Sequence, residues 1–319
     1  MTDRLYVGIE STVGHTPLVR LDRLAALKGR EDLTIWVKLE YFNPGGSAKD
    51  RTAAGMVADA IATGRLRPGS VAVESSSGNL GVALAREAVL HDFTFHCVVD
   101  PRANRSTVAH MRALGAVVHE LTEPDPETGD WLTARRTRVK ELLDELEGSI
   151  NFDQYSNRAA FAAHRDGTMA EIIADLGHAP DHVFVAVSTT GTLGGCLAAT
   201  VDTPTEVHAV DAEGSVLFGG QRGTRPLPGY GAGVVTELST QVTPKDVARI
   251  DARKAIAAAR ELAAREAILP GASGGAVMAA LDAALPNIPA GSDVVAILHD
   301  NGTAYLSTIY DDTWVEENV

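Results

Sequence analysis

Apolar residues recur along this chain in two rhythms. Short β-branched runs fall at residues 34–39, 71–74, 94–99, 117–121, 183–187, 207–210 and 294–298. They are apolar at consecutive positions rather than alternate ones, which predicts strands covered on both faces. Between them, apolar residues return every three or four positions at 52–63, 104–114, 131–146, 161–176 and 252–265. That spacing predicts amphipathic helices. The alternation of the two predicts an α/β chain with mostly parallel sheets covered by helices. Residues 123–129, acidic and holding two prolines, interrupt the rhythm as a surface loop. Pro-Gly and Gly-Gly pairs between Phe218 and Gly233 mark a second long loop, and loops of that length are often functional. No short-period repeat is present, which argues against a solenoid.

Composition narrows the classes. The 319 residues are 45% apolar and suffice for two modest lobes or one large unit. The 42 acidic and 28 basic residues leave a net charge of −14, which argues against a nucleic-acid or anionic-membrane surface. Cys97 and Cys196 lack CxxC spacing, so neither a disulfide framework nor a zinc knuckle is expected. Both read as packed small residues, and Trp36, Trp131 and Trp314 read as packing anchors. The histidines are scattered without ligand spacing in sequence, so no metal is expected. The start, MTDRLYVGIE, is too polar for a signal peptide, and the most apolar stretch, 183–201, is broken at 188–192. A soluble, cytoplasmic protein is the expectation.

Four glycine-rich turns carry the candidate chemistry. In Asn43-Pro44-Gly45-Gly46-Ser47-Ala48-Lys49-Asp50-Arg51, a tight turn leads into a helix, with Ser47 and Asp50 spaced as a capping box. Lys49 then falls in the first helical turn, where the macrodipole disfavours a cation and favours a neutral, nucleophilic amine. A solvated surface lysine explains this segment equally well. Ser75, Ser76, Ser77, Gly78 and Asn79 follow a strand and open a helix; hydroxyls and N–H groups there can hold a carboxylate, or serve as a plain cap. Ser188, Thr189, Thr190, Gly191 and Thr192 form a third turn of this kind, suited to a phosphate. It is neither a Walker A loop nor a dinucleotide fingerprint. The fourth, Gly271-Ala272-Ser273-Gly274-Gly275, is by itself a helix start rich in small residues.

In this order, from Val13-Gly14-His15-Thr16-Pro17-Leu18 to Tyr305-Leu306-Ser307-Thr308, the motifs resemble the cysteine synthase and cystathionine β-synthase family of fold-type II pyridoxal-phosphate enzymes. The resemblance implies a two-lobed fold like that of the tryptophan synthase β-subunit. Residues 1–44 and 155–319 would form the larger cofactor-binding lobe, and 45–154 a smaller, mobile substrate-carboxylate lobe. It implies a homodimer and pyridoxal 5′-phosphate, with Lys49 as the Schiff-base lysine. Asn79 would bond the phenolic oxygen, Ser188–Thr192 would cup the phosphate and Ser273 would face the pyridine nitrogen. Ser75, Ser76, Ser77, Gly78, Asn79 and Gln154 would bind substrate, and Gly231, in Gly229-Tyr230-Gly231-Ala232-Gly233, would lie in the closing loop. The implied reaction is β-replacement on a serine-derived amino acid through an aminoacrylate.

Residues 39–44, 74–81, 188–192, 211–220 and 305–314 more closely resemble one branch, the N-(2-amino-2-carboxyethyl)-L-glutamate synthases. These join O-phospho-L-serine to L-glutamate on the way to 2,3-diaminopropionate for siderophores or peptide antibiotics. Both substrates are anionic, and Arg222 and Arg225 are candidates to hold them, or are solvated loop arginines. A cysteine synthase using O-acetyl- or O-phospho-L-serine and sulfide would share every cofactor motif. A dehydratase fits Ser-Ala-Lys-Asp-Arg and Ser-Thr-Thr-Gly-Thr poorly. A catalytically silent binding partner would not need Lys49, Asn79 and Ser273. Small amino-acid substrates, and neither nucleic acid nor membrane, are the expected partners.

Overall fold

The computed structural model describes residues 5–319. Ten strands occur among them: β1 (Leu18–Arg20), β2 (Thr34–Leu39), β3 (Val71–Ser75), β4 (Thr94–Val99), β5 (Val117–Glu120), β6 (Ile150–Asn151), β7 (His182–Ala186), β8 (Glu206–Ala212), β9 (Asp246–Ile250) and β10 (Asp293–Leu298). The α-helices are α1 (Asp22–Leu27), α2 (Lys49–Ala62), α3 (Asn79–His91), α4 (Arg105–Ala113), α5 (Trp131–Glu145), α6 (Ala159–Ala163), α7 (Ala170–Leu176), α8 (Gly191–Ala199), α9 (Ala252–Glu266), α10 (Ala272–Ala284) and α11 (Asp312–Asn318). A π-helical turn, His164–Met169, joins α6 to α7, so the single helix expected at 161–176 is three segments.

The chain divides into two compact units. The smaller takes in the described residues up to Val13 and Lys49–Ala159; the larger takes in Gly14–Ala48 and Ala160–Val319. The expected boundaries are corrected accordingly. Residues 5–13 and 155–159 belong to the smaller unit and 45–48 to the larger, while residues 1–4 lie outside the described residues. The break falls at Lys49 for a physical reason. Ala48 N–H donates to His299 O at 2.8 Å, and Ser47 bridges to Asp300, both beyond the end of β10. From Lys49 onward, α2 instead buries Ala53, Met56, Val57 and Ala60 in the core of the smaller unit.

In the larger unit a six-stranded sheet runs β1-β2-β10-β7-β8-β9, parallel except for β1 against β2. Successive side chains alternate between its faces. Val183, Val185, Val295 and Ile297 meet Met169, Ile172, Leu193 and Cys196 on one face. Phe184, Ala186, Ala296 and Leu298 meet Ala255, Ile256, Val277 and Leu281 on the other. This double cover is why these strands read as unbroken apolar runs. In the smaller unit the order is β5-β4-β3-β6, all parallel. Phe95, Cys97 and Val99 pack with Met56, Leu84 and Met111, while Val73 and Val98 meet Val139 and Leu142 of α5.

The Thr16-Pro17 motif has a structural use in the larger unit. The fully buried Lys38 ammonium donates to Thr16 O at 2.7 Å and lies 2.9 Å from Glu171 Oε2, whose Oε1 accepts from His15 N–H at 2.8 Å. A buried cation is thereby paired and hydrogen-bonded rather than stranded.

Candidate active site

In open parallel sheets, ligand sites form beyond the carboxyl ends of the strands. In the larger unit, β7 ends at Ala186, and α8 begins at Gly191 after Thr190, held in the left-handed region at φ 70°. No side chain caps α8, so its first N–H groups point into the turn as donors for an anion. Ser188 is half-buried; Thr189, Thr190 and Thr192 are buried. Thr192 Oγ1 lies 3.4 Å from His164 Nε2, and His164 Nδ1 lies 2.9 Å from Thr168 Oγ1, within the π-helical turn. A Cβ added at Gly194 would meet the Phe161 ring, and one at Gly195 would lie 2.7 Å from Arg165 N. Small residues therefore seat α8, and with it the turn, against this helix.

Other expected residues of the larger unit gather nearby. Gly231, at φ 76°, donates its N–H to Val187 O at 2.6 Å, which fixes the 229–233 turn beside the start of the 188–192 turn. Ser273 is buried in the first turn of α10. Gly229 sits at φ 92°, a conformation that favours glycine, and a Cβ on it would stand 3.7 Å from Ser273 Cβ and 3.9 Å from the Tyr305 hydroxyl, so this turn passes over Ser273. Tyr305 in turn donates to Asp300 Oδ2 at 2.8 Å. Arg222 donates to Gly233 O at 2.5 Å, and Arg225 runs along Gly231 and Gly233.

The smaller unit gathers the rest. Lys49 is the first residue of α2, in the expected first turn, with Ala48 rather than Ser47 directly before the helix. Beyond β3, Ser76 Oγ accepts from Gly81 N–H at 3.0 Å, and Cys97 Sγ donates to Ser76 O at 3.2 Å. Asn79 opens α3, which again has no side-chain cap. Gln154 Nε2 donates to Ser75 O at 3.1 Å, so both expected substrate segments are tied together, and Ser75 Oγ is buried with no hydrogen-bond partner among the described residues. Glu74 lies beneath them with its Oε1 accepting from Ser75 N–H at 2.9 Å. Desolvation pushes the Glu74 carboxyl up to about 7, against the opposing pull of backbone N–H groups from Ser75, Gln154 and Asp153.

Comparison with known proteins decides the class. The family model described as pyridoxal-phosphate dependent enzyme matches residues 9–300. The chain belongs to that family. It is 39% identical over 313 residues to the N-(2-amino-2-carboxyethyl)-L-glutamate synthase of Cupriavidus metallidurans, covering 97% of this chain and 91% of the relative. Among solved structures it resembles an O-ureido-L-serine synthase, with a TM-score of 0.83 and 32% identity over 98% of this chain and all of the other. It also resembles the O-acetylserine-dependent cystathionine β-synthase of Helicobacter pylori, with a TM-score of 0.87 and 27% identity over 97% of this chain and all of that one. This pyridoxal-phosphate dependent enzyme is thus a β-substituting enzyme of fold type II.

The residues present suit the family's cofactor. The uncapped, hydroxyl-lined start of α8 suits its phosphate, Lys49 supplies a primary amine, and Ser273 supplies a neutral hydroxyl beside the 229–233 turn. One residue escapes the sequence reading. Arg135 of α5 donates from Nη1 to Ser77 Oγ at 2.5 Å, and its Nε stands 3.4 Å from Asp100 Oδ2. It is a largely buried cation directly behind the serine-rich turn. In sequence it is one of four basic residues in a polar helix, and nothing sets it apart. Tyr155, next to Gln154, is half-buried, and desolvation holds its hydroxyl above the usual range. Both cysteines are buried and pushed up to about 12 by desolvation, which suits packing rather than reaction.

Proposed function

We propose that this enzyme joins O-phospho-L-serine to the amino group of L-glutamate, forming N-(2-amino-2-carboxyethyl)-L-glutamate and phosphate, a precursor of 2,3-diaminopropionate for a siderophore or peptide natural product. The observation that carries this reading is the 39% identity, across 97% of the chain, to a relative named for that product. Arg135, which donates to Ser77 Oγ, would put a positive charge behind the turn that takes the donor's carboxylate, as an anionic substrate requires.

Bound pyridoxal phosphate would supply the electron sink that makes the α-proton removable and lets the β-substituent leave. Lys49 would hold the cofactor at rest, take the α-proton on Nζ once released, and return a proton to the α-carbon at the end. Ser188, Thr189, Thr190, Gly191 and Thr192 would grip the cofactor's phosphate. The Ser273 hydroxyl would face the pyridine nitrogen and could hydrogen-bond to it without protonating it, which favours β-replacement over transamination. Ser75, Ser76, Ser77, Gly78, Asn79 and Gln154 would orient the donor's carboxylate, with Asn79 also reaching the phenolic oxygen. Gly231 would lie in the closing turn. Arg222 and Arg225 would face the phosphate or the glutamate carboxylates, although Arg222 already serves Gly233 O. A cytoplasmic homodimer completes the proposal.

The test is a product assay. The cofactor-loaded enzyme receives O-phospho-L-serine or O-acetyl-L-serine, each with L-glutamate or sulfide, and products are identified by mass. The reading expects the glutamate adduct and phosphate from the phosphoserine–glutamate pair. Efficient cysteine formation with glutamate ignored would instead establish a cysteine synthase.

A further inference from the structure

At the opposite end of the larger unit's sheet from the 188–192 turn, parallel register assembles a cluster that sequence spacing conceals. His182 and Glu206 are partners as the first residues of β7 and β8; His208 of β8 is the partner of Asp246, the first residue of β9. Glu206 and His208 are two apart on one strand, so all four side chains stand on the same face. His182 Nδ1 and His208 Nε2 are 3.1 Å apart, and Glu206 Oε2 is 3.7 Å from His182 Nδ1. One ligand atom from each of His182, Glu206 and His208 lies within 4.8 Å of the others. The two imidazoles are buried at 8% and 7% exposure, while the Glu206 and Asp246 side chains are 38% and 57% exposed, so the cluster opens to solvent on its carboxylate side.

The hydrogen bonding also sets the tautomer. His208 Nδ1 lies 3.0 Å from both Asp246 carboxylate oxygens, which keeps its proton on Nδ1 and turns the Nε2 lone pair toward His182. A carboxylate behind a ligating histidine is the usual support of a protein metal site. Two ring nitrogens bound to one tetrahedral zinc ion at 2.0–2.1 Å stand about 3.3 Å apart, so this pair, 3.1 Å apart as an N–H···N hydrogen bond, needs little movement to take one ion, and Glu206 is the ligand that the His96–His119 pair lacks. Lys245 Nζ occupies only the other oxygen of Glu206, at 2.9 Å from Oε1.

We propose that His182 Nδ1, His208 Nε2 and Glu206 Oε2 form a site for one divalent cation of the zinc type, with water completing the shell and Asp246 orienting His208. Binding needs no redox partner and releases no proton. The proton that His182 Nδ1 shares with His208 moves to His182 Nε2, which frees the Nδ1 lone pair for the ion. The ion would join β7 to β8 at the end of the sheet away from the cofactor turn, as a structural clamp.

The experiment uses cofactor-loaded enzyme stripped of metals by chelation. Zinc binding is measured by equilibrium dialysis, and cobalt(II) is added separately as a spectroscopic probe. The site predicts one ion per chain and the intense visible bands of tetrahedral cobalt. Glu206→Gln and Asp246→Asn, at solvent-exposed carboxylates that leave the buried rings in place, should each weaken binding about 10–100-fold. His96→Gln, in another hydrogen-bonded histidine pair (His96 Nδ1 to His119 Nε2, 3.0 Å), should leave it unchanged. Absence of one-to-one binding in the wild type, or binding untouched by both carboxylate substitutions, would overturn the proposal and leave a hydrogen-bonded Asp246–His208–His182 ladder.

Discussion

At the residue scale, the account rests on a few side chains whose surroundings set their chemistry. Lys49→Ala is expected to lower turnover at least about a thousandfold and to abolish the visible band of lysine-linked cofactor, read by steady-state assay and absorbance. Turnover kept near wild type would remove Lys49 from the mechanism. Glu74 gives a test of the buried ground under the serine-rich turn. Its carboxyl is raised from 4.5 to about 7, so the folded state holds a proton that the unfolded chain releases. The stability this contributes is full below pH 4.5, declines as pH rises toward 7 and is flat above. Glu74→Gln lacks that loss while keeping the acceptor for Ser75 N–H. Denaturant unfolding should therefore show the variant gaining on the wild type between pH 4.5 and about 7, by up to about 3 kcal/mol, and holding that gain above. Glu87, also raised to about 7 by burial, is common to both proteins, so the difference isolates Glu74. A gap independent of pH would mean that Glu74 is ionised in the fold. Lys49 and the turns were legible as residues because their glycine and hydroxyl patterns are local. Arg135 was not, because its value comes from Ser77, 58 positions away.

At the element scale, most strands read correctly from sequence are well covered, such as β7, with every residue buried; β5, exposed at an edge of the smaller sheet, was legible through its Val117-Val118 start. Those that went unread are marginal ones. β9 is half exposed at one edge of the larger sheet, β1 has three residues at the other edge, and β6 has two. An edge strand needs less apolar surface and leaves a weaker pattern. The π-helical turn at 164–169 also leaves no periodic signature, although it receives Gly195 of α8. Gly195→Ala tests that seat. Its Cβ would fall 2.5 Å from His164 Cβ and 2.7 Å from Arg165 N, backbone that cannot rotate away. The expected cost is about 1–3 kcal/mol in thermal or denaturant unfolding, together with weaker cofactor retention, since α8 carries the 188–192 turn. A variant as stable and as well loaded as the wild type would show that the helix pair yields freely.

At the scale of the whole molecule, the alternation of strand and helix was enough for the α/β class, and the order of the motifs was enough for the family. The unit boundaries were less legible. They depend on where Ala48 is held by the end of β10 and where α2 turns its apolar face to another core, and neither pairing is local. The His182, Glu206 and His208 cluster was hidden for the same reason, since sheet register and not spacing brings it together. Net charge also has a bearing on mechanism. For a chain at −14, the two anionic amino acids proposed as substrates would have to be held by local cations and helix N-termini. Competition between nucleophiles tests this most directly. Cofactor-loaded enzyme is given O-phospho-L-serine with L-glutamate and sulfide at equal concentration, and the two products are quantified by mass. The account predicts that N-(2-amino-2-carboxyethyl)-L-glutamate dominates; cysteine as the main product would contradict it.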